Sequence, residues 1–250
     1  MKKLGTIINY ILLPVIIIAA WEAVTRMKLF PPVILPSLEK VVKSFGDQLN
    51  SGQLAADIGI SVQRVLEGYL IAIVLAVTLG VLMGMSERIN KFFALTFTSI
   101  RQIPMIAWMP LIILWAGIDE ASKVIVIVIG AFFPVLLNTI NGIRHTPKGL
   151  IEVGRMYKLS NWALLRKVYI PSALPSIFVG LKLGLGISWM VVVAAEIVAA
   201  SSGIGYRIND ARSLMRPEVV IVGMFVIAIV GVLMDQVLTR VLKKITPWQA

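Results

Sequence analysis

The chain has 250 residues, of which 58% are hydrophobic and only 15% charged, and its mean hydropathy is +0.89. A soluble domain carries about 25% charged residues, so this composition excludes a water-soluble globular protein and requires lipid over part of the surface. The formal net charge of +11 does not indicate nucleic-acid binding, because no basic run is interleaved with aromatics and loop lysines and arginines of membrane proteins account for it.

In chain order, Lys2 and Lys3 precede an apolar stretch without a convincing cleavage site, which predicts a retained first helix over Ile7–Ala23. The segment from Lys28 to Glu67 differs in kind. Pro31, Pro32 and Pro36 precede Ser37, which is placed to cap an amphipathic helix running to Leu49. Arg64 and Glu67 then lead into a second span, Tyr69–Met85. A third, Phe92–Ala116, contains Pro104 and Pro110, which remove backbone donors and predict kinks. Such breaks persist in membranes where protein or a water-lined cavity satisfies the freed carbonyls. Val124–Ile140, Ala173–Ala200 and Val219–Val237 complete the set, each near the length of about 20 residues that crosses about 30 Å of hydrocarbon.

The fold expected is an all-α membrane protein of about six transmembrane helices, a single domain over residues 1–250 without internal repeats. Gly80 with Gly84, and Gly180 with Gly184, predict close helix approach. Placing the N-terminus inside puts more of the Lys and Arg residues inside than outside, so both termini are expected in the cytoplasm. Absence of cysteine excludes disulfides and thiolate metal sites.

Residues 141–175 form a polar, basic connection far longer than two adjacent spans need. Ser160 predicts the cap of a short helix, Asn161–Tyr169, that stops before Pro171, with a turn near Lys158 and Leu159. A loop of this kind is expected to lie on the membrane surface and contact a partner.

Catalysis finds no support. No Gly-rich phosphate loop ending in Gly-Lys-Ser or Gly-Lys-Thr occurs, so ATP hydrolysis is not expected here. His145 stands without an acidic cluster, and its predicted side of the membrane is opposite that of Ser188, Ser201 and Ser202. No cofactor or metal is expected in the chain.

Arg101 and Lys182 each fall about ten residues inside a span, roughly 15 Å deep. Together they suit an anionic solute, with Gln102, Met105, Trp108, Trp189 and Glu196 as further candidates along the path. Equally, Asp235 or Glu196 can pair with them and only hold helices together. A self-contained ion-coupled transporter or channel, relaying through Arg101, Lys182, Glu196 and Asp235, is the alternative reading.

The stretch Glu152-Val153-Gly154, Lys158, Val168, Ile170, Pro171 resembles the cytoplasmic loop of ABC importer permeases, whose pattern is E-A-A, three residues, G, nine residues, I-x-L-P. The spacing agrees throughout. Val153 and Gly154 replace two alanines, and Lys158 replaces the glycine, where a different turn is expected because glycine alone enters left-handed backbone freely. Arg101 to Pro104, Ile106 to Leu111, Leu114 to Gly117, Ala131 to Pro134, Val193 to Glu196 and Gly203 to Tyr206 resemble the nitrate/sulfonate/taurine branch. The resemblance implies a type I importer fold and a bacterial inner-membrane location. It also implies a second permease copy, a separate cytoplasmic ATPase dimer carrying ATP and Mg, and an external solute-binding protein. It further implies that Glu152, Val153, Gly154, Lys158, Val168, Ile170 and Pro171 form the ATPase-coupling element.

Overall fold

The computed structural model describes residues 2–245, with side chains from Leu12 onward. The chain runs through α1 (Lys2–Arg26), α2 (Leu38–Asn50), α3 (Gln53–Met85), α4 (Glu87–Gln102), α5 (Met105–Ala116) and α6 (Glu120–Arg144). It continues through α7 (Lys148–Met156), α8 (Asn161–Leu164), a π turn (Leu165–Tyr169), α9 (Ile170–Ala199), α10 (Ile204–Ser213) and α11 (Pro217–Ile245). No strand occurs among the described residues.

α6 is the central helix, packed along α3 on one side and α9 on the other. Lipid offers no hydrophobic drive to bring apolar helices together, so close van der Waals approach must do so, and small residues permit it. A Cβ at Gly80 or Gly84 of α3 would lie 2.7 Å from the Cβ of Thr139 or Ile143 on α6. One at Gly180 of α9 would lie 2.7 Å from the Asn138 Cβ. Val65, Ala72, Ile127, Ala131, Val135, Leu136 and Val192 fill the seams without solvent exposure. The paired glycines therefore act as the sequence predicts.

Four segments are long and apolar enough to cross a membrane: Gln53–Met85, Glu120–Arg144, Asn161–Ala199 and Pro217–Ile245. α4 and α5 form a further pair, and α1 has 25 residues. The first predicted span, Ile7–Ala23, lies within α1, and its side chains before Leu12 fall outside the described residues.

Three expectations are corrected. The second span does not begin at Tyr69: α3 starts at Gln53, and Arg64 and Glu67 are inside the helix. The third is not a continuous kinked helix: it is broken into α4 and α5, bent by 99°. Ile103 takes extended backbone (φ −77°, ψ 119°), as the residue before a proline tends to, while Pro110 sits inside α5 without ending it. Finally, the helix from Asn161 does not stop before Pro171. Pro171 has no N–H to return to the preceding turn, and the i→i+5 bond from Ile170 N–H to the Leu165 carbonyl shifts the ladder so that α8 runs on into α9.

One end of the bundle carries Met85, Arg144 and α7, and there an Arg144–Glu87 bridge of 2.9 Å ties α6 to α4. The opposite end carries the starts of α3, α6 and α11, the end of α9, and α2 and α10.

Candidate coupling helix and translocation face

α7 begins at Lys148, four residues before Glu152, so Glu152 stands in the second turn rather than at the helix start, where the dipole would favour it most. Glu152 and Val153 are exposed and Gly154 is buried. A Cβ on Gly154 would lie 2.6 Å from Leu164 Cδ1, so the absence of a side chain lets α8 close against α7. Leu150, Val153, Met156, Tyr157 and Trp162 form an apolar patch at least half exposed, bordered by Lys148, Glu152 and Arg155.

Lys158 adopts φ +54°, the left-handed region that glycine enters at no steric cost. Its N–H bonds the Arg155 carbonyl at 2.8 Å and the Leu159 N–H bonds the Gly154 carbonyl at 3.1 Å, the paired closure that ends helices in a left-handed residue. The different turn expected from the lysine is thus absent: the turn forms, with the lysine strained into it. Val168 lies in the π turn, and Ile170 and Pro171 open α9, all three half-buried beneath α7 and α8.

Arg101 lies at the end of α4, exposed at the break, with no ion-pair partner among the described residues. It opens onto a cleft of about 340 Å³ shared with Pro104, Met105, Trp108, Gly130, Pro134 and Ile187. Gln102 is exposed beside it and does not line that cleft. A second cleft, about 390 Å³, lies between α9 and α11 and is lined by Lys182, Ile187, Gly186, Trp189, Met190 and Asp235. Ile187 borders both, so the clefts adjoin along α9. In the second, Lys182 Nζ and Asp235 Oδ1 pair loosely at 3.8 Å, with 40% and 58% of their side chains exposed. Trp189 is buried, its Nε1 donating to the Ile227 carbonyl at 3.0 Å. Charges half-exposed at mid-span cannot face hydrocarbon without great cost, so this face is one covered by protein or water.

Glu196 lies elsewhere. It is fully buried at the opposite end, where Arg64 Nη1 donates to its Oε1 at 2.8 Å. Ser61 Oγ donates to the same oxygen at 2.7 Å and the Gly205 N–H to Oε2 at 2.8 Å. Arg64 also grips both oxygens of Glu120, at 2.6 and 2.7 Å, and the Ser202 carbonyl at 2.8 Å. Next to it Asp57 accepts from the Gly203 N–H at 3.2 Å and from Arg207 Nε at 2.9 Å. The sequence reading missed Arg64, Asp57, Ser61, Glu120 and Arg207. The available signal was that Arg64 sits among Ser61, Val65, Gly68 and Tyr69 at helical spacing, within a face that proves buried. The Arg101–Glu196 and Lys182–Glu196 pairings considered above do not form.

The family described as the binding-protein-dependent transport system inner membrane component matches residues 54–247. The chain belongs to that family. The permease is 37% identical to a putative aliphatic sulfonates transport permease, SsuC, of Bacillus subtilis, over 96% of this chain and 87% of the relative. It is 30% identical to the taurine transport permease TauC of Escherichia coli (93% and 86%) and 34% identical to the bicarbonate transport permease CmpB of Synechococcus elongatus (70% and 64%). Among solved structures, an amino acid ABC transporter matches with a TM-score of 0.63 at 16% identity, over 80% of the permease and 95% of that chain. An inward-facing methionine ABC transporter, MetNI, matches with 0.57 at 18% identity, over 71% and 92%. The likeness to solved permeases is one of fold. Permease subunits of this family are not themselves enzymes.

Proposed function

We propose that this chain forms the solute pathway of an ATP-driven importer for a small anionic solute such as a sulfonate. A separate ATPase pair docks on α7, and an external binding protein delivers the solute to the opposite end. The observation that carries the solute class is the pair of clefts adjoining at Ile187, which hold two cations, Arg101 and Lys182, against one carboxylate, Asp235. Its open clefts are completed by a second copy of the chain, which supplies the protein cover that mid-span charges require. The relatives named for sulfonates and taurine have in common a cargo that carries an anionic sulfonate group, which supports this reading. Both termini are assigned to the cytoplasm, in the inner membrane, from the Lys and Arg asymmetry.

Coupling follows from how α7 is held. Its exposed apolar patch, ringed by charge, has the make-up of a docking surface. Its buried side is fixed to α8, which is continuous with the span α9. A displacement of α7 by the ATPases is therefore carried into the span rather than absorbed by a flexible loop. The self-contained relay loses its continuity, because Glu196 is enclosed with Arg64 at one end while Lys182 and Asp235 sit on the open face.

Co-purification of the ATPase with Glu152→Lys tests the reading. An exposed substitution changes the fold by about 0.5 kcal/mol or less, whereas charge reversal in an interface costs several kcal/mol. The expected result is a correctly folded permease without its ATPase and without uptake. Wild-type co-purification and uptake would remove Glu152 from the interface.

A further inference from the structure

Two clefts at the α10 end adjoin in a way the transport pathway does not use. The first, about 390 Å³, is almost wholly apolar and is lined by Trp21 of α1, Leu35, and Ile221, Met224, Phe225 and Ala228 of α11. From Ile221 to Ala228 it follows α11 inward for seven residues, about 10 Å. The second, about 530 Å³, lies at the helix ends and carries Thr25, Lys28, Ser37 and Lys40. Leu35 borders both. Trp21 Nε1 donates to the Pro36 carbonyl at 3.0 Å, which fixes the connecting segment over α1.

We infer that these clefts together bind one anionic phospholipid, with an acyl chain along α11 and the headgroup phosphate against Lys28. The match is in order as well as in chemistry: the cationic cleft is at the helix ends, where headgroups lie, and the apolar one runs toward the bilayer interior. The groove is also continuous with surface that must meet lipid, since Leu12 to Ile18 of α1 and Met224, Phe225, Ile229 and Val232 of α11 are all exposed. Lys40 has Glu218 Oε2 at 3.3 Å. Lys28 has no acidic partner among the described residues, and Glu22 is already engaged by Arg26 at 2.6 Å. Lys28 is held at φ +54°, so its replacement must tolerate left-handed backbone; asparagine does.

The test is native mass spectrometry of the delipidated full chain titrated with phosphatidylglycerol or phosphatidylcholine. The wild type is expected to retain one phosphatidylglycerol in preference to phosphatidylcholine by about fivefold, and Lys28→Asn to lose that preference. Lys43→Asn, on α2 outside both clefts, should keep it, and Ala228→Trp, which fills the groove, should lose the retained lipid of either kind. Equal retention of both lipids by the wild type overturns the inference, a comparison that depends on no variant folding. So does an unchanged preference in Lys28→Asn, or a groove occupied by a second copy of the chain instead of lipid.

Discussion

Arg64 and Glu196 meet at 2.8 Å with 3% and 0% of their side chains exposed, joining α3 to α9 across 132 residues of sequence. Removing one member of a buried pair strands the other, which costs about 3–5 kcal/mol. Arg64→Met should therefore lower the unfolding midpoint of the purified chain sharply. Arg64→Met with Glu196→Gln should recover part of the loss, because the charge left behind, Glu120, is exposed and keeps Lys123 at 3.3 Å. A single variant that melts with the wild type would show that the pair does not hold this end together.

Lys158→Gly should stabilise α7 by about 1 kcal/mol, since glycine enters left-handed backbone without the steric penalty other residues meet. The measurement is amide exchange at Leu159, whose N–H closes the turn onto Gly154. Slower exchange with uptake retained is the expected outcome. Faster exchange would mean that the lysine side chain itself secures the turn.

Gly154→Val should push α7 away from α8, because its Cβ would start 2.6 Å from Leu164 Cδ1. Overpacking of this kind costs about 1–3 kcal/mol, expressed as lost ATPase co-purification from an otherwise intact permease. Adding Leu164→Ala makes room and should restore binding. Failure of the double variant to recover would place the defect outside this contact.

Arg101→Met should reduce uptake about tenfold, the scale of one charge-assisted contact, while assembly is unchanged because no partner is left behind. Lys182→Met should differ: Asp235, half-exposed at mid-span, loses its only ion-pair partner among the described residues, and assembly should suffer as well. Comparing uptake with recovered complex separates the two. Normal uptake in Arg101→Met would exclude it from the pathway.

Single cysteines at Ser160 should react only from the cytoplasm, and those at Ser51 and Ser213 only from outside. All three positions are exposed, so labelling reports sidedness rather than burial. External labelling at position 160 of intact cells would invert the arrangement and remove α7 from the reach of a cytoplasmic ATPase.

What the sequence made legible, and what it hid, divides along physical lines. Span cores, the caps Ser37 and Ser160, and the small-residue seams are local properties of composition and spacing, and they appear where expected. The charges were misjudged because their partners are remote. Arg64 resembles a residue of a solvated lead-in until Glu120 and Glu196 are brought beside it by α6 and α9. Pro104 signalled a break but not its size: α4 and α5 are bent by 99°, with α5 packed against α6 and α9. At Lys158 the spacing pointed to the turn while the residue type argued against it, and the turn formed regardless.

The five-residue π turn beneath α7 has a rotational consequence. Each helical residue advances the chain by about 100° around its axis, and a π turn adds one residue to a regular ladder. Leu165–Tyr169 thereby sets the compass bearing at which the α7–α8 platform stands around the long rod of α9. Excising a single residue there would swing the platform by about a quarter of a revolution without altering any side chain on it. Two chains with identical docking residues and different ladders at this point would present those residues in different directions.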